Sequence, residues 1–307
     1  MNFSVAEHVE NFIRKSVIGR NLSRMRNRFP FLYTSLRDVY SKLFRIRSQH
    51  GLARYQVRVM NRFLSFVPAD ILRQGVLEVG SDLDAKVIRE LRTKGCTKLV
   101  GVNPAFTDNE LLQIAPDLPE GCVLARSDMR STGLADESFG AIFSVSVFEH
   151  LLEFDRCLLE MHRILVPGGI VYADFGPIWS SSLGHHVFAN VDGEQARHWN
   201  PKINPLENFS HLLGSSDEMR ASLTGRVSDS MRGAIVDWVY SGHDINRLFF
   251  EDYLRLIEVS PFELMHLDVD REYVPEQMLR TLRTRYAGYE RFDVRNVEMI
   301  LKKRENA

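Results

Sequence analysis

The chain has 307 residues, 44% hydrophobic and 26% charged, with 39 Lys/Arg against 40 Asp/Glu. These values suit a globular protein with a sizeable core and exclude a chain disordered throughout. No run of about 18 apolar residues occurs, so no membrane-spanning helix is expected. The opening MNFSVAEHVENFIRK lacks the apolar stretch and cleavage site of a secretory signal. Three cysteines, Cys96, Cys122 and Cys157, make no CxxC pair and no even framework, which suits reduced thiols and a cytoplasmic location. Charge is unevenly spread. Residues 1–75 hold fourteen Lys/Arg and four Asp/Glu, so a basic arm precedes an acidic body. That arm is read as a solvated face, a dock onto the body, or a site for an anionic partner.

Residues 1–70 read as a helical extension. Ser4 to Glu7 has capping-box spacing, and Val5, Val9, Phe12 and Ile13 fall on one face. Helices are predicted over about 35–47 and 55–66, separated by Gly51. After Pro68 the pattern changes. Val76–Val79 is a short apolar run ending at Gly80, consistent with a buried parallel strand. Further strands are predicted at Lys98–Asn103, Cys122–Ala125, Phe139–Val145 and Ile170–Phe175. Helices are predicted at Asp84–Lys94, Leu111–Ala115 and Phe148–Leu165, the last stopped by Pro167-Gly168-Gly169. From 176 to about 245 the periodicity fades into an insertion, with helical parts near 216–224 and 229–240. A helix at Phe249–Glu258, a strand at Phe262–Glu272, a helix at Pro275–Tyr286 and a strand at Val294–Lys302 close the chain. Strands alternating with helices predict an α/β doubly wound, mostly parallel seven-stranded sheet over residues 71–303.

In such a sheet ligands bind beyond the carboxyl ends of the strands. Polar groups gather there: Glu78, Gly80, Ser81 and Asp82 after the first strand, Asn103 after the second, and Asp128 with Met129 after the third. Ser144, Val145, Ser146 and Glu149-His150 follow the fourth strand, and Asp174 closes the fifth.

Four segments carry a resemblance: VLEVGSD (76–82), LVGVN (99–103), SDMRSTGLADESFGAIFSVSVFEHL (127–151) and CLLEMHRILVPGGIVYADF (157–175). Together they resemble class I S-adenosylmethionine-dependent methyltransferases, closest to the small-molecule type 11 group. The resemblance implies a Rossmann-like fold and S-adenosyl-L-methionine as cofactor. By position, it implies Glu78 near the methionine ammonium and Gly80 where a side chain would block the cofactor. It implies Asn103, in place of the usual acid, at the ribose and Asp128 at the adenine amino group. Met129 then lies against the ring, Ser81 in the loop, and Ser144 and Val145 beside the methionine moiety. The pattern departs from the family at Asp82 and Asp84, which stand where glycines are usual, and at Gly140, which stands where an aspartate is usual. No G-x-G-x-x-G motif with a ribose acid is present, which argues against a dinucleotide.

Glu149-His150 admits three readings: hydrogen bonding at a helix start, a general base in His150, or a metal ligand pair. Metal-dependent relatives use Glu-x-x-Glu-His plus a later His. Ser146 holds the first Glu position here, so no metal is expected. His185 and His186, in the segment PIWSSSLGHH that follows the fifth strand, are further candidate bases, and Trp179 and Asp174 are candidate substrate contacts. The expected activity is methyl transfer to an oxygen or nitrogen of a small metabolite or sugar, with 176–245 as a lid. The alternatives are a non-catalytic interaction protein of the same fold, or an RNA methyltransferase using the basic arm. Nucleic acid and anionic membrane are not the favoured partners, and the sequence leaves the oligomeric state open.

Overall fold

The computed structural model describes residues 48–304. The helices expected before residue 48 lie outside the described residues. Strands β1 (Val76–Val79), β2 (Leu99–Val102), β3 (Cys122–Ala125), β4 (Phe139–Val145) and β5 (Leu165–Phe175) are followed by a hairpin, β6 (Phe188–Val191) and β7 (Glu194–Arg197), and then by β8 (Phe262–Arg271) and β9 (Val294–Lys303). Seven strands form one sheet in the order β3-β2-β1-β4-β5-β9-β8. The first five are parallel, and β9 runs antiparallel between β5 and β8. The predicted α/β sheet is thus the observed one. No helix among the described residues is long and apolar enough to cross a membrane.

Alternation along the strands assigns each side chain to a layer. Leu77, Val79, Ile142, Val171 and Ala173 face the helices Phe154–Ile164 and Phe250–Glu258. Val76, Phe143, Tyr172 and Ile300 face the helices Arg54–Phe66 and Lys86–Thr93. Phe63 meets Phe143 with ring centroids 4.9 Å apart, and Phe143 stacks on Tyr172 at 5.9 Å. The helix Arg54–Phe66 was expected in the N-terminal extension. It instead supplies Val57, Val59, Met60 and Phe63 to the core of the sheet, so residue 70 is not a packing boundary.

Three local expectations differ from the structure. The helix predicted over Phe148–Leu165 is split into a single 3₁₀ turn at Phe148–His150 and a helix that starts at Phe154. The Asn246 amide explains the break. Its Nδ2 donates to the carbonyls of Phe148 (2.8 Å) and Leu151 (3.2 Å), which would otherwise accept from within a helix. Second, β5 begins at Leu165 and carries Pro167-Gly168-Gly169 inside it, with a register shift against β4 between Phe139 and Ala141. Third, the segment 188–197 forms a β-hairpin that the sequence did not suggest. The hairpin packs with the helix Asp229–Tyr240 into a third apolar cluster that includes Val187, Ala196, Met231 and Ile235. The helical parts expected near 216–224 and 229–240 are present at Ser216–Ser222 and Asp229–Tyr240.

Candidate active site

A cleft of about 360 Å³ opens at the carboxyl ends of β1 to β4. Gly80, Asn103, Asp128, Met129, Val147 and His150 are among the residues lining it, with His243 reaching in from the insertion. The cleft therefore lies where the strand order reverses, as expected for this sheet.

Gly80 has φ +85°, a conformation glycine adopts without strain. A Cβ there would stand 2.2 Å from Val147 Cγ2. The glycine is thus required by the protein's own packing as well as by the open cleft beside it. Its N–H and that of Ser81 both donate to the Val102 carbonyl, at 2.9 and 3.1 Å, closing the turn after β1.

Glu78 is buried on the face of the sheet shared with the helix Arg54–Phe66, opposite Gly101 of β2 and Phe143 of β4. Its Oε2 has no hydrogen-bond partner among the described residues. Burial pushes its carboxyl up to about 8, against a smaller opposing effect of the Ser81 hydroxyl. Glu78 precedes Val79 and Gly80, which line the cleft, and a buried carboxyl with one oxygen unpartnered among the described residues is a natural counterpart of an ammonium group.

Asn103 uses both ends of its amide within the chain. Nδ2 donates to Ser81 O at 3.0 Å and Oδ1 accepts from Ala105 N at 2.9 Å. It clamps the loops after β1 and β2 together, which leaves one N–H and one lone pair for a ligand. Asp128 is likewise engaged. Arg130 donates to it through Nε (3.0 Å), Nη2 (2.7 Å) and its backbone N–H (2.8 Å). The guanidinium holds the Asp128 carboxyl below its ordinary value. Met129 is buried in the core below the cleft, and Ser144 Oγ donates to Val79 O at 3.3 Å. Val145 is half-buried at the end of β4.

The residues after β4 and β5 meet beside the cleft. Ser146 takes φ +57° and donates its N–H to Asp174 O at 2.8 Å. Tyr55, half exposed at the start of its helix, hydrogen-bonds Ser146; desolvation of its hydroxyl, and secondarily the nearby Asp82, Asp174 and Glu149, disfavour its ionisation. Sequence reading missed Tyr55. Its only signal was a place in the first turn of a helix, and nothing local says that this turn ends over β4 and β5.

Adjacent in sequence, His185 and His186 are separated by the fold. His185 is wholly buried away from the cleft, its ring 5.6 Å from that of His211 and its carbonyl accepting from Trp238 Nε1 at 3.1 Å. His186, at φ +49°, instead turns toward Glu149 and His150. Trp179 packs inside the third cluster, edge-on to His211 and beneath the Arg247 guanidinium. Neither His185 nor Trp179 is among the residues lining the cleft. His150 does line it, and its Nδ1 donates to the Asp244 carbonyl.

Residues 77–173 match the family model described as "Methyltransferase domain". This segment, which supplies most of the cleft lining, is a methyltransferase domain. No curated protein matches the chain. Among solved structures, it is similar to an S-adenosylmethionine-dependent methyltransferase from Mesorhizobium loti at 16% identity and TM-score 0.46, covering 79% of this chain and 96% of that one. It is also similar to a phosphoethanolamine N-methyltransferase from Haemonchus contortus, crystallised with phosphomonomethylethanolamine and S-adenosylhomocysteine, at 13% identity and TM-score 0.46. There the coverage is 83% of this chain and 53% of that one. Two features of this structure fit the S-adenosylmethionine that the sequence resemblance implies: the orphaned Glu78 oxygen near the end of β1 and the glycine turn that follows it and lines the cleft. At the Asn103 and Asp128 positions its polar capacity is partly spent on the protein itself.

Proposed function

We propose that the chain transfers a methyl group from S-adenosylmethionine to an oxygen or nitrogen of a small metabolite or sugar. One observation carries the reading: the buried Glu78 carboxyl, its Oε2 without a partner among the described residues, directly before Val79 and Gly80, which line a roomy cleft at the strand ends. Glu78 would hold the ammonium group, Gly80 and Ser81 would give the backbone turn beneath it, and Asn103 would offer its remaining amide capacity to the ribose. Asp128 would accept from the adenine amino group alongside Arg130, with Met129 against the ring and Ser144 and Val145 along the methionine chain. Bound there, the cofactor supplies a methyl already activated on a sulfonium sulfur. The protein's main task is then to align donor and acceptor.

An acceptor hydroxyl that takes the methyl group would have to surrender its proton to a base. His150 is the candidate histidine that lines the cleft, and its Nδ1–H bond to Asp244 O leaves Nε2 as the basic nitrogen. Asp174, Tyr55 and Ser146 form a polar rim beside the acceptor side. The insertion contributes His243 to the wall and would act as the lid. Trp179 would then act on the acceptor only through the packing of that lid.

Calorimetric titration with S-adenosylhomocysteine, followed by transfer of tritiated methyl groups into fractionated extract, tests the reading. Binding and label in the small-molecule fraction are expected. Label in RNA would favour the basic arm as an RNA-binding element, and an absence of homocysteine-nucleoside binding at millimolar concentration would leave a non-catalytic relative of the fold.

A further inference from the structure

Arg130 carries no role in the sequence resemblance, yet it lines the cleft beside Asp128. It spans the whole carboxylate. Nε donates to Oδ1 at 3.0 Å, Nη2 donates to Oδ2 at 2.7 Å, and the Arg130 backbone N–H donates to Oδ1 at 2.8 Å. The remaining nitrogen, Nη1, donates to Glu153 Oε1 at 2.7 Å, and Glu153 Oε2 accepts from Arg156 Nη1 at 2.7 Å. Arg156, Glu153, Arg130 and Asp128 thus form one line of alternating charge that ends at the cleft. From this arrangement we propose that Arg130, held by Glu153, is a positioning residue that presents Asp128 to the adenine of the cofactor. The inference rests on the function proposed above.

The acceptor count is the first support. A carboxylate offers about four hydrogen-bonding positions, two on each oxygen. Oδ1 spends both of its own on Arg130, and Oδ2 spends one. A single position on Oδ2 is left. Because a planar fork grips both oxygens, the carboxylate cannot turn about its Cβ–Cγ bond, and that position keeps one direction. One acceptor of fixed direction is what a purine amino group needs. The same grip holds the Asp128 carboxyl below its ordinary value, so the acceptor stays ionised.

Energetics is the second support. The side chains of Asp128, Arg130 and Glu153 are 41%, 37% and 44% exposed, and ion pairs so exposed contribute little to folding. Glu153 also sits at φ +49°, a left-handed conformation that is costly for a residue with a side chain and that concentrates at ligand sites. A strained residue that carries only exposed ion pairs serves orientation better than stability. Covering Asp128 with a purine would strip water from the carboxylate. A neutral amino group cannot offset that charge, whereas the guanidinium already in place can.

Calorimetry with S-adenosylhomocysteine on the full chain, run as a double-mutant cycle, tests the assignment. Arg130→Ala is expected to weaken binding by about tenfold, and Arg130→Lys, whose single ammonium cannot span both oxygens, by at least about threefold. In an Asp128→Ala background, Arg130→Ala should change the affinity by less than about twofold, because the group through which it acts is gone. A role in local folding alone would give equal losses in the two backgrounds. Urea unfolding of Arg130→Ala should stay close to that of the parent, as befits exposed ion pairs. Parent-like affinity in Arg130→Ala, full recovery by Arg130→Lys, or equal losses with and without Asp128 overturns the positioning role. In each of those results the parent still binds S-adenosylhomocysteine, so the methyltransferase reading stands; a parent that binds none overturns both.

Discussion

Glu78→Gln isolates the physics of the cleft. In the folded protein, burial raises the Glu78 carboxyl from an ordinary 4.5 to about 8. Below about pH 4.5 both the folded and unfolded chains hold its proton and the group contributes no difference. As pH rises further, the unfolded chain releases the proton and the folded one retains it. Stability therefore falls by up to about 1.4 kcal/mol per pH unit until the folded group itself ionises near pH 8. Between about pH 5 and about pH 7.5 the wild type loses up to about 3 kcal/mol through this one residue, and the neutral Gln isostere loses none of it. Urea unfolding at those two pH values, for both proteins, reads the difference directly. The same residue should tie the cofactor to pH. An ammonium group paired with Glu78 requires the ionised carboxylate, so S-adenosylmethionine affinity should rise with pH up to about 7.5 in the wild type and stay flat in the variant. Parallel pH dependences of stability in the two proteins would refute the burial of Glu78 that keeps its proton in the ligand-free fold.

Asn246→Ala removes two donated bonds to Phe148 O and Leu151 O and the acceptor of Leu248 N–H and Tyr253 O–H. A loss of about 2–4 kcal/mol in chemical denaturation is expected, with the His150 turn loosened. Gly140→Val would place a Cβ 1.9 Å from the Ile71 carbonyl oxygen, a backbone atom that cannot rotate aside. Overpacking of about 1–3 kcal/mol should appear as a lowered melting temperature. Asp128→Ala breaks an ion pair whose partners are both partly exposed, so stability should change by less than about 1 kcal/mol. Loss of the adenine contact should weaken S-adenosylhomocysteine binding by about 1–3 kcal/mol in calorimetry, and unchanged affinity would move the adenine pocket elsewhere.

Strand and helix order was legible in the sequence wherever a local period carried it. The buried strands read as short apolar runs between turn residues, and their ends located Glu78, Gly80, Asn103 and Asp128, because a parallel sheet collects its strand ends on one side. The amphipathic run at 249–258 was equally plain, since one helical face supplies the signal, whereas 229–240 stood out less against the fading periodicity of the insertion. What stayed hidden depends on contacts between distant residues. The amide of Asn246 breaks a helix that residues 148–165 would otherwise continue, and that competition lies almost a hundred positions away. The Ile71 carbonyl makes Gly140 a packing necessity, although in the sequence it looks only like a missing aspartate. Tyr55 reaches the rim because its helix packs across Tyr172 and Phe143, and two adjacent histidines part company because one backbone turn sends His185 into the insertion's core and His186 to Glu149. Local sequence therefore determined which segments are strands and helices and where their polar ends lie. Only the tertiary structure decided which of those polar groups are already spent on the protein and which remain for a ligand, since hydrogen-bond satisfaction is a property of spatial neighbours rather than of sequence neighbours.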